Sequence, residues 1–256
     1  MARKIVVVSG KGGVGKTTVA VFLAAQLAKC GERVIVYDAD FGLNNVDVVA
    51  GVEALSHYDI IDVIEGRCRA KQALIRHPKC PNLYVLTSHH AAPERYVSPQ
   101  SVRLVLDALA PQFDFIFIDS PAGVDEGFHR AVATANEAIL VTTPQVSAAR
   151  DADRAVTILK SYRLDAIQLV VNMARGDLIA AGERLSAQEL AEILKLPLLG
   201  VVPEEYRVAI GEICAPHSSF KMMAKGLRTG KVKIFDVTKK YSGLAGHLRR
   251  VLKKRL

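Results

Sequence analysis

Short apolar, β-branched runs alternate with stretches of helical periodicity along almost the whole chain. Runs near 3–8, 33–37, 83–87, 114–118, 137–142, 167–172 and 198–202 read as strands. Patterns near 16–29, 58–65, 98–110, 126–134, 147–160, 186–195 and 217–228 read as helices. The strands are continuously apolar, as expected where both faces of a sheet are covered. The alternation predicts an α/β fold, a doubly wound, mostly parallel sheet with helices on both faces. Ligand chemistry in such a sheet gathers at the carboxyl ends of the strands.

A different pattern closes the chain. Leu244, Leu248, Val251 and Leu252 fall at i, i+4, i+7 and i+8, one face of a helix, while Arg249, Arg250, Lys253 and Lys254 take the other. Basic residues opposite apolar ones, with no acid among them, are the pattern of a helix lying in a membrane interface. The expected division is a body over 1–240 and an amphipathic membrane-targeting tail over 241–256. One tail binds weakly on these terms. Each large side chain supplies at most ~1.5–3 kcal/mol, each Lys or Arg about 1 kcal/mol near an anionic leaflet, and Gly243 and Gly246 oppose helix ordering. Two tails on one dimer would gain roughly 10²–10⁴ in avidity.

Charge sharpens that reading. Half of the 256 residues are apolar and 23% charged, ordinary for a soluble globular chain. The net charge of +8 is uneven: residues 221–256 hold twelve Lys/Arg against Asp236 alone, a net of +11, which leaves the first 220 residues at −3. Such asymmetry points to a tail that meets an anionic surface, membrane or nucleic acid. Cys30, Cys68, Cys80 and Cys214 lie far apart with no C-x-x-C, which speaks against a zinc or iron–sulfur site. They read as reduced thiols of a cytosolic protein. The chain enters a strand at once, without a signal-peptide pattern. No apolar run approaches the ~18 residues needed to span a bilayer. His89-His90 has no third ligand at metal spacing and reads as surface loop.

The chemistry starts at Ser9-Gly10-Lys11-Gly12-Gly13-Val14-Gly15-Lys16-Thr17-Thr18, between the first strand and the first helix. Gly10 to Thr17 matches G-x-x-x-x-G-K-[ST] in the strand–loop–helix setting that the motif requires. Its N–H groups would form an anion nest at a helix N-terminus. Lys16 would reach the β- and γ-phosphates and Thr17 would place its hydroxyl on Mg²⁺. Lys11 is a second lysine that the ordinary loop does not require. It reads as a solvated charge or as a side chain reaching a neighbour's nucleotide across a dimer interface. Asp38 and Asp40 follow the second strand on alternate residues. One can hold Mg²⁺ through water and the other can orient a water for attack on the γ-phosphate. Asp119, after an apolar strand, has the setting of an acid that assists the metal, and Pro121 and Gly123 suit a switch loop.

The loop 9–18, with the stretches Asp38–Asp47, Tyr58–Gly66, Ile118–Gly123 and Pro144–Arg154, resembles the MinD family of the ParA/MinD class of deviant Walker A ATPases over about residues 1–205. The resemblance implies a P-loop NTPase with ATP and Mg²⁺ as ligands and ATP contacts from Gly10 through Thr18. It implies a homodimer in the ATP form with Lys11 on the partner's nucleotide. Lys11, Lys16 and Asp40 would be catalytic, Asp40 orienting the attacking water, and Thr17, Asp38 and Asp119 would support the metal. Asn172 and Pro203 lie where the family holds adenine, and Val146–Arg154 lies where it docks MinC-like and MinE-like regulators. The implied setting is cytoplasmic, peripheral on the inner membrane, in division-site placement, with slow hydrolysis releasing the protein. Two departures stand out. Asn44 replaces a more usual Arg, and Ile213-Cys214-Ala215-Pro216-His217 replaces a typical polar turn.

Rival readings share the core. A DNA-partition ATPase of the ParA type would use the basic surface on phosphates, but phosphate binding needs no Leu stripe. A MinD-like flagellar-number regulator usually carries an N-terminal extension. An adaptor that binds ATP and barely hydrolyses it has the same motifs. A reductase of the nitrogenase-iron-protein kind would need a cysteine pair after its strands.

Overall fold

The structure is a computed structural model that describes residues 2–42, 45–88, 97–204, 213 and 217–241. The tail residues 242–256, Asn44 and His89-His90 lie outside the described residues. Eight strands form one sheet: β1 (Arg3–Val8), β2 (Val34–Asp38), β3 (Ile75–Arg76), β4 (Leu83–Leu86), β5 (Phe115–Asp119), β6 (Glu137–Thr142), β7 (Ala166–Ala174) and β8 (Leu198–Pro203). Their order is β3-β4-β2-β5-β1-β6-β7-β8, and every pairing is parallel except β3 on β4. The chain leaves β1 toward β2 on one side, then crosses from β5 to β6 on the other. β1 and β5 therefore stand where the winding reverses, the place where an open α/β sheet leaves a crevice.

The helices are α1 (Lys16–Lys29), α2 (Val46–Ala50), α3 (Ile60–Ile64), α4 (Pro99–Leu109), α5 (Glu126–Val132), α6 (Val146–Leu159), α7 (Gly176–Ala180), α8 (Ala187–Leu194) and α9 (Ser218–Thr229). The period of two in each strand divides its side chains between two cores. Val6, Val8, Ile35, Tyr37, Ile116 and Ile118 pack with α3, α4, α5, α6 and α8. Ile5, Val7, Val34, Val36, Phe115 and Phe117 pack with α1, α2 and α9. Helix α1 is apolar almost all round because the sheet, α2 and α9 enclose it, with Phe22 and Phe220 5.5 Å apart. Local chemistry sets the helix starts. Ser98 accepts from Ser101 N ahead of Pro99, and Asp59/Asp62 and Ser186/Glu189 form capping boxes.

The predicted strands and long helices stand within one or two residues of their expected positions. The sequence pattern does not predict β3, α2 or α7, which span two to five residues each. After α9 the chain returns over α7. A Cβ at Gly176 would overlap the Val237 carbonyl, and Tyr241 packs beside it at 7% exposure. Gly176→Ala is therefore expected to destabilise the fold by about 1–3 kcal/mol in urea unfolding, and a wild-type midpoint would show that the 235–241 segment yields.

Candidate active site

The loop between β1 and α1 is shaped by glycines that two neighbours approach closely. Gly13 and Gly15 take φ of 77° and 79°, in the left-handed region. A Cβ at Gly10 would overlap the Asp151 carbonyl of α6, and one at Gly15 would overlap the Asn172 amide. Ser9 Oγ donates to Lys11 O at 2.9 Å, and Gly123 N donates to Ser9 O at 3.2 Å. The loop after β5 is thereby tied to the start of the phosphate loop. The first turn of α1 carries no acid, so its free N–H groups and dipole face the loop uncompensated.

Lys16 and Thr17 converge on Asp119. Lys16 Nζ lies 2.9 Å from Asp119 Oδ1, and Thr17 Oγ1 donates to Asp119 Oδ2 at 2.6 Å. Asp119 is 2% exposed, and burial raises its pKa while Lys16 acts against that rise. Asp38 is its register partner on β2 and is equally buried. Burial pushes the Asp38 carboxyl up to about 7, with the charge of Asp119 adding to the rise. Three backbone N–H groups oppose it: Asp40 N on Oδ1, and Asn45 N and Val46 N on Oδ2, each at 3.0 Å. Asp38 thus anchors the 39–46 loop and the start of α2. Asp40 is half-buried at the rim, and its Oδ1 accepts from Gly42 N at 3.2 Å.

These donors suit Mg²⁺, which takes hard oxygens and keeps several waters. Among the described residues no group of three or more His, Cys, Asp and Glu side chains forms a metal cluster. The Thr17 hydroxyl and the Asp119 carboxylate would hold the ion, with phosphate oxygens and water completing its shell and Asp38 behind.

Other expected residues are placed apart. Lys11 is half-buried, and its ammonium has no ion-pair partner among the described residues. Asn172 is 3% exposed and its Nδ2 donates to Val14 O at 2.8 Å, so its amide braces the phosphate loop. Pro203 lines a cavity of about 400 Å³ with Ala174, Arg175, Glu204, Phe235 and Tyr241, which Asn172 does not line. The start of α6 exposes Val146 at 72%, with Ser147, Arg150, Asp153 and Arg154 beside it on the open face. Sequence reasoning missed Arg130, a buried arginine on α5. The signal was present as a lone cation in the apolar pattern Phe128-His129-Arg130-Ala131-Val132.

The CobQ/CobB/MinD/ParA nucleotide binding domain family matches residues 5–212. The septum site-determining protein MinD of Synechocystis sp. is 35% identical, covering 98% of this chain and 99% of that protein. Among solved structures, the MinC:MinD cell division protein complex of Aquifex aeolicus superposes with a TM-score of 0.83 at 32% identity, covering 91% of this chain and 98% of that one. MinD of Pyrococcus horikoshii complexed with Mg-ADP gives 0.77 at 27% identity, covering 90% and 97%.

The raised Asp38 pKa has a consequence for stability. Between the unfolded value near 3.9 and about 7, the folded protein holds a proton that the unfolded chain has released. Stability then falls as pH rises through that window. Without nucleotide or metal, Asp38→Asn is expected to flatten this part of the urea-denaturation profile. A slope equal to wild type would place the titration elsewhere.

Proposed function

The chain belongs to the CobQ/CobB/MinD/ParA nucleotide-binding family, and on that premise we propose that it is a MinD-like ATPase of division-site placement, cycling on an anionic membrane as an ATP-dependent dimer. The observation that carries the reading is the convergence of Lys16, Thr17 and Asp119 beneath a glycine-shaped anion nest. Relatives named as septum site-determining proteins, one of them solved with Mg-ADP and another with MinC, support it.

The residues divide the work as follows. Backbone N–H groups of 10–18 cradle the phosphates, and Lys16 exchanges its contact with Asp119 for phosphate oxygens. Mg²⁺, when bound, neutralises charge on the β- and γ-phosphate oxygens. Asp40 orients the attacking water, and Asp38 fixes the loop that carries it. Lys11 crosses to the partner protomer's nucleotide, so that dimerisation completes the site. Adenine lies beyond the loop toward Asn172 and Pro203. MinC-like and MinE-like regulators dock on the open face of Val146–Arg154, and they stimulate a turnover that is slow by itself. The residues 242–256 supply the membrane contact on the cytoplasmic face of the inner membrane, where two tails hold by avidity and one does not. No helix among the described residues is long and apolar enough to cross a membrane.

Lys11→Ala is expected to abolish the ATP-dependent dimer in sedimentation velocity while the monomer still binds ATP. A variant that dimerises and hydrolyses like wild type would remove the trans role. In co-sedimentation with anionic vesicles, the full chain is expected to pellet in ATP and not in ADP. A chain ending at Tyr241, and full-length Leu248→Glu, are expected to stay in the supernatant. Equal pelleting in both nucleotides would make the tail a constitutive anchor, and ATP-dependent DNA retention by the shortened chain would favour the partition reading.

A further inference from the structure

Arg130 is an unusual residue for its position. It lies on α5 and is 6% exposed, between Phe128 and Ala131, which belong to an apolar core. Burying a guanidinium is costly unless it is well partnered, and an apolar side chain of similar length would fill the same space. Among the described residues its contacts include two from neighbouring segments. The guanidinium carbon lies 5.1 Å from the ring centroid of Phe41, in cation–π position. Nη1 is 3.4 Å from the Val97 carbonyl. Burial raises the pKa of Tyr37, on β2, and the charge of Arg130 acts against that rise.

Phe41 gives these contacts a direction. It directly follows Asp40 and is half-buried against the same core as Phe128 and Ala131. Asp40 is held locally by its N–H on Asp38 and by Gly42 N on its own carboxylate. Those bonds fix the turn, whereas the Phe41 ring fixes where the turn sits on the body of the protein. A cation–π contact is strengthened when it is desolvated, which favours such an anchor. The α5 end of the clamp is continuous with the loop after Asp119, whose Gly123 N holds Ser9 O at 3.2 Å. One arginine thus joins the loop carrying Asp40 to the helix that follows the metal-side strand.

We infer that Arg130 is a positioning residue for ATP hydrolysis: its guanidinium clamps Phe41 and so holds Asp40 at the rim of the phosphate site. The inference rests on the reading of Asp40 as the residue that orients the attacking water. Arg130 touches no phosphate in this scheme, so its loss should act on turnover and leave ATP affinity alone.

The test is hydrolysis of Mg-ATP by the full chain, with a thermal melt as fold control. The variants are Arg130→Met, Arg130→Lys, Phe41→Leu, the double variant Arg130→Met/Phe41→Leu, and Asp40→Asn. Arg130→Met and Phe41→Leu are expected to lower kcat by roughly ten- to a hundredfold, with KM for ATP within about twofold of wild type. Arg130→Lys, which keeps the charge and loses the planar fork, should recover part of the loss. The double variant should be no slower than the worse single variant, because both changes break one clamp. A wild-type kcat in a folded Arg130→Met protein would overturn the inference, as would fully additive losses. KM rising together with kcat loss and a lowered melting point would reduce Arg130 to a structural residue. If Arg130→Met does not fold, Arg130→Lys and Phe41→Leu decide by the same split. Wild-type turnover in Asp40→Asn would sink the water-orienting reading itself. Impaired Asp40→Asn beside unaffected Arg130→Met and Phe41→Leu would sink the clamp alone.

Discussion

Lys16 and Asp119 meet at 2.9 Å with side-chain exposures of 9% and 2%, and charges so far from water persist only together. Removing one partner of such a pair typically costs about 3–5 kcal/mol, because the other is left uncompensated in the interior. This contact joins the two halves of the site, since Lys16 opens α1 and Asp119 ends β5. It also sets the electrostatics around it. The charge of Asp119 contributes to the raised pKa of Asp38, its register partner, and Thr17 is held by the same carboxylate. A bound phosphate would offer Lys16 further acceptors, and Asp119 and Thr17 are oxygen donors that would suit an accompanying Mg²⁺.

The phosphate loop is gripped from three sides. The α6 backbone at Asp151 abuts Gly10, the Asn172 amide donates to Val14 O, and Gly123 N donates to Ser9 O. In these contacts the loop offers carbonyl oxygens at Ser9 and Val14 and no N–H donor. The α6 contact has a further meaning. The helix that presses on Gly10 is also the one that exposes Val146, Arg150 and Arg154.

Much of this was legible in the sequence, for identifiable reasons. Both acid-bearing strands are continuous apolar runs, so Asp38 and Asp119 could be placed at strand ends, and the structure makes each the last residue of its strand. The phosphate loop was legible because its spacing has one known backbone solution. Asn172 was seen as a residue at a strand end, but its donation to Val14 is a contact across 158 positions that no local pattern encodes. Arg130 was missed because a single cation in a short apolar helix looks the same whether it faces water or a buried ring. The short elements β3, α2 and α7 were missed for want of length, and they are held by tertiary contacts such as Gly176 beneath Val237.

The different fates of Asp38 and Asp40 show why a two-residue motif cannot assign roles by itself. On a continuing strand, residues two apart face the same way, and the two carboxylates would be equivalent. The chain leaves the ladder after Asp38, with Ala39 N making a last bond to Asp119 O at 2.9 Å. From there the turn is drawn back onto the Asp38 carboxylate, which collects three N–H donors. That occupies the inner acid and leaves the outer one half-buried at the rim. One acid therefore shapes the loop on which the other stands, and the position of Asp40 is set by the bonds its loop makes to Asp38.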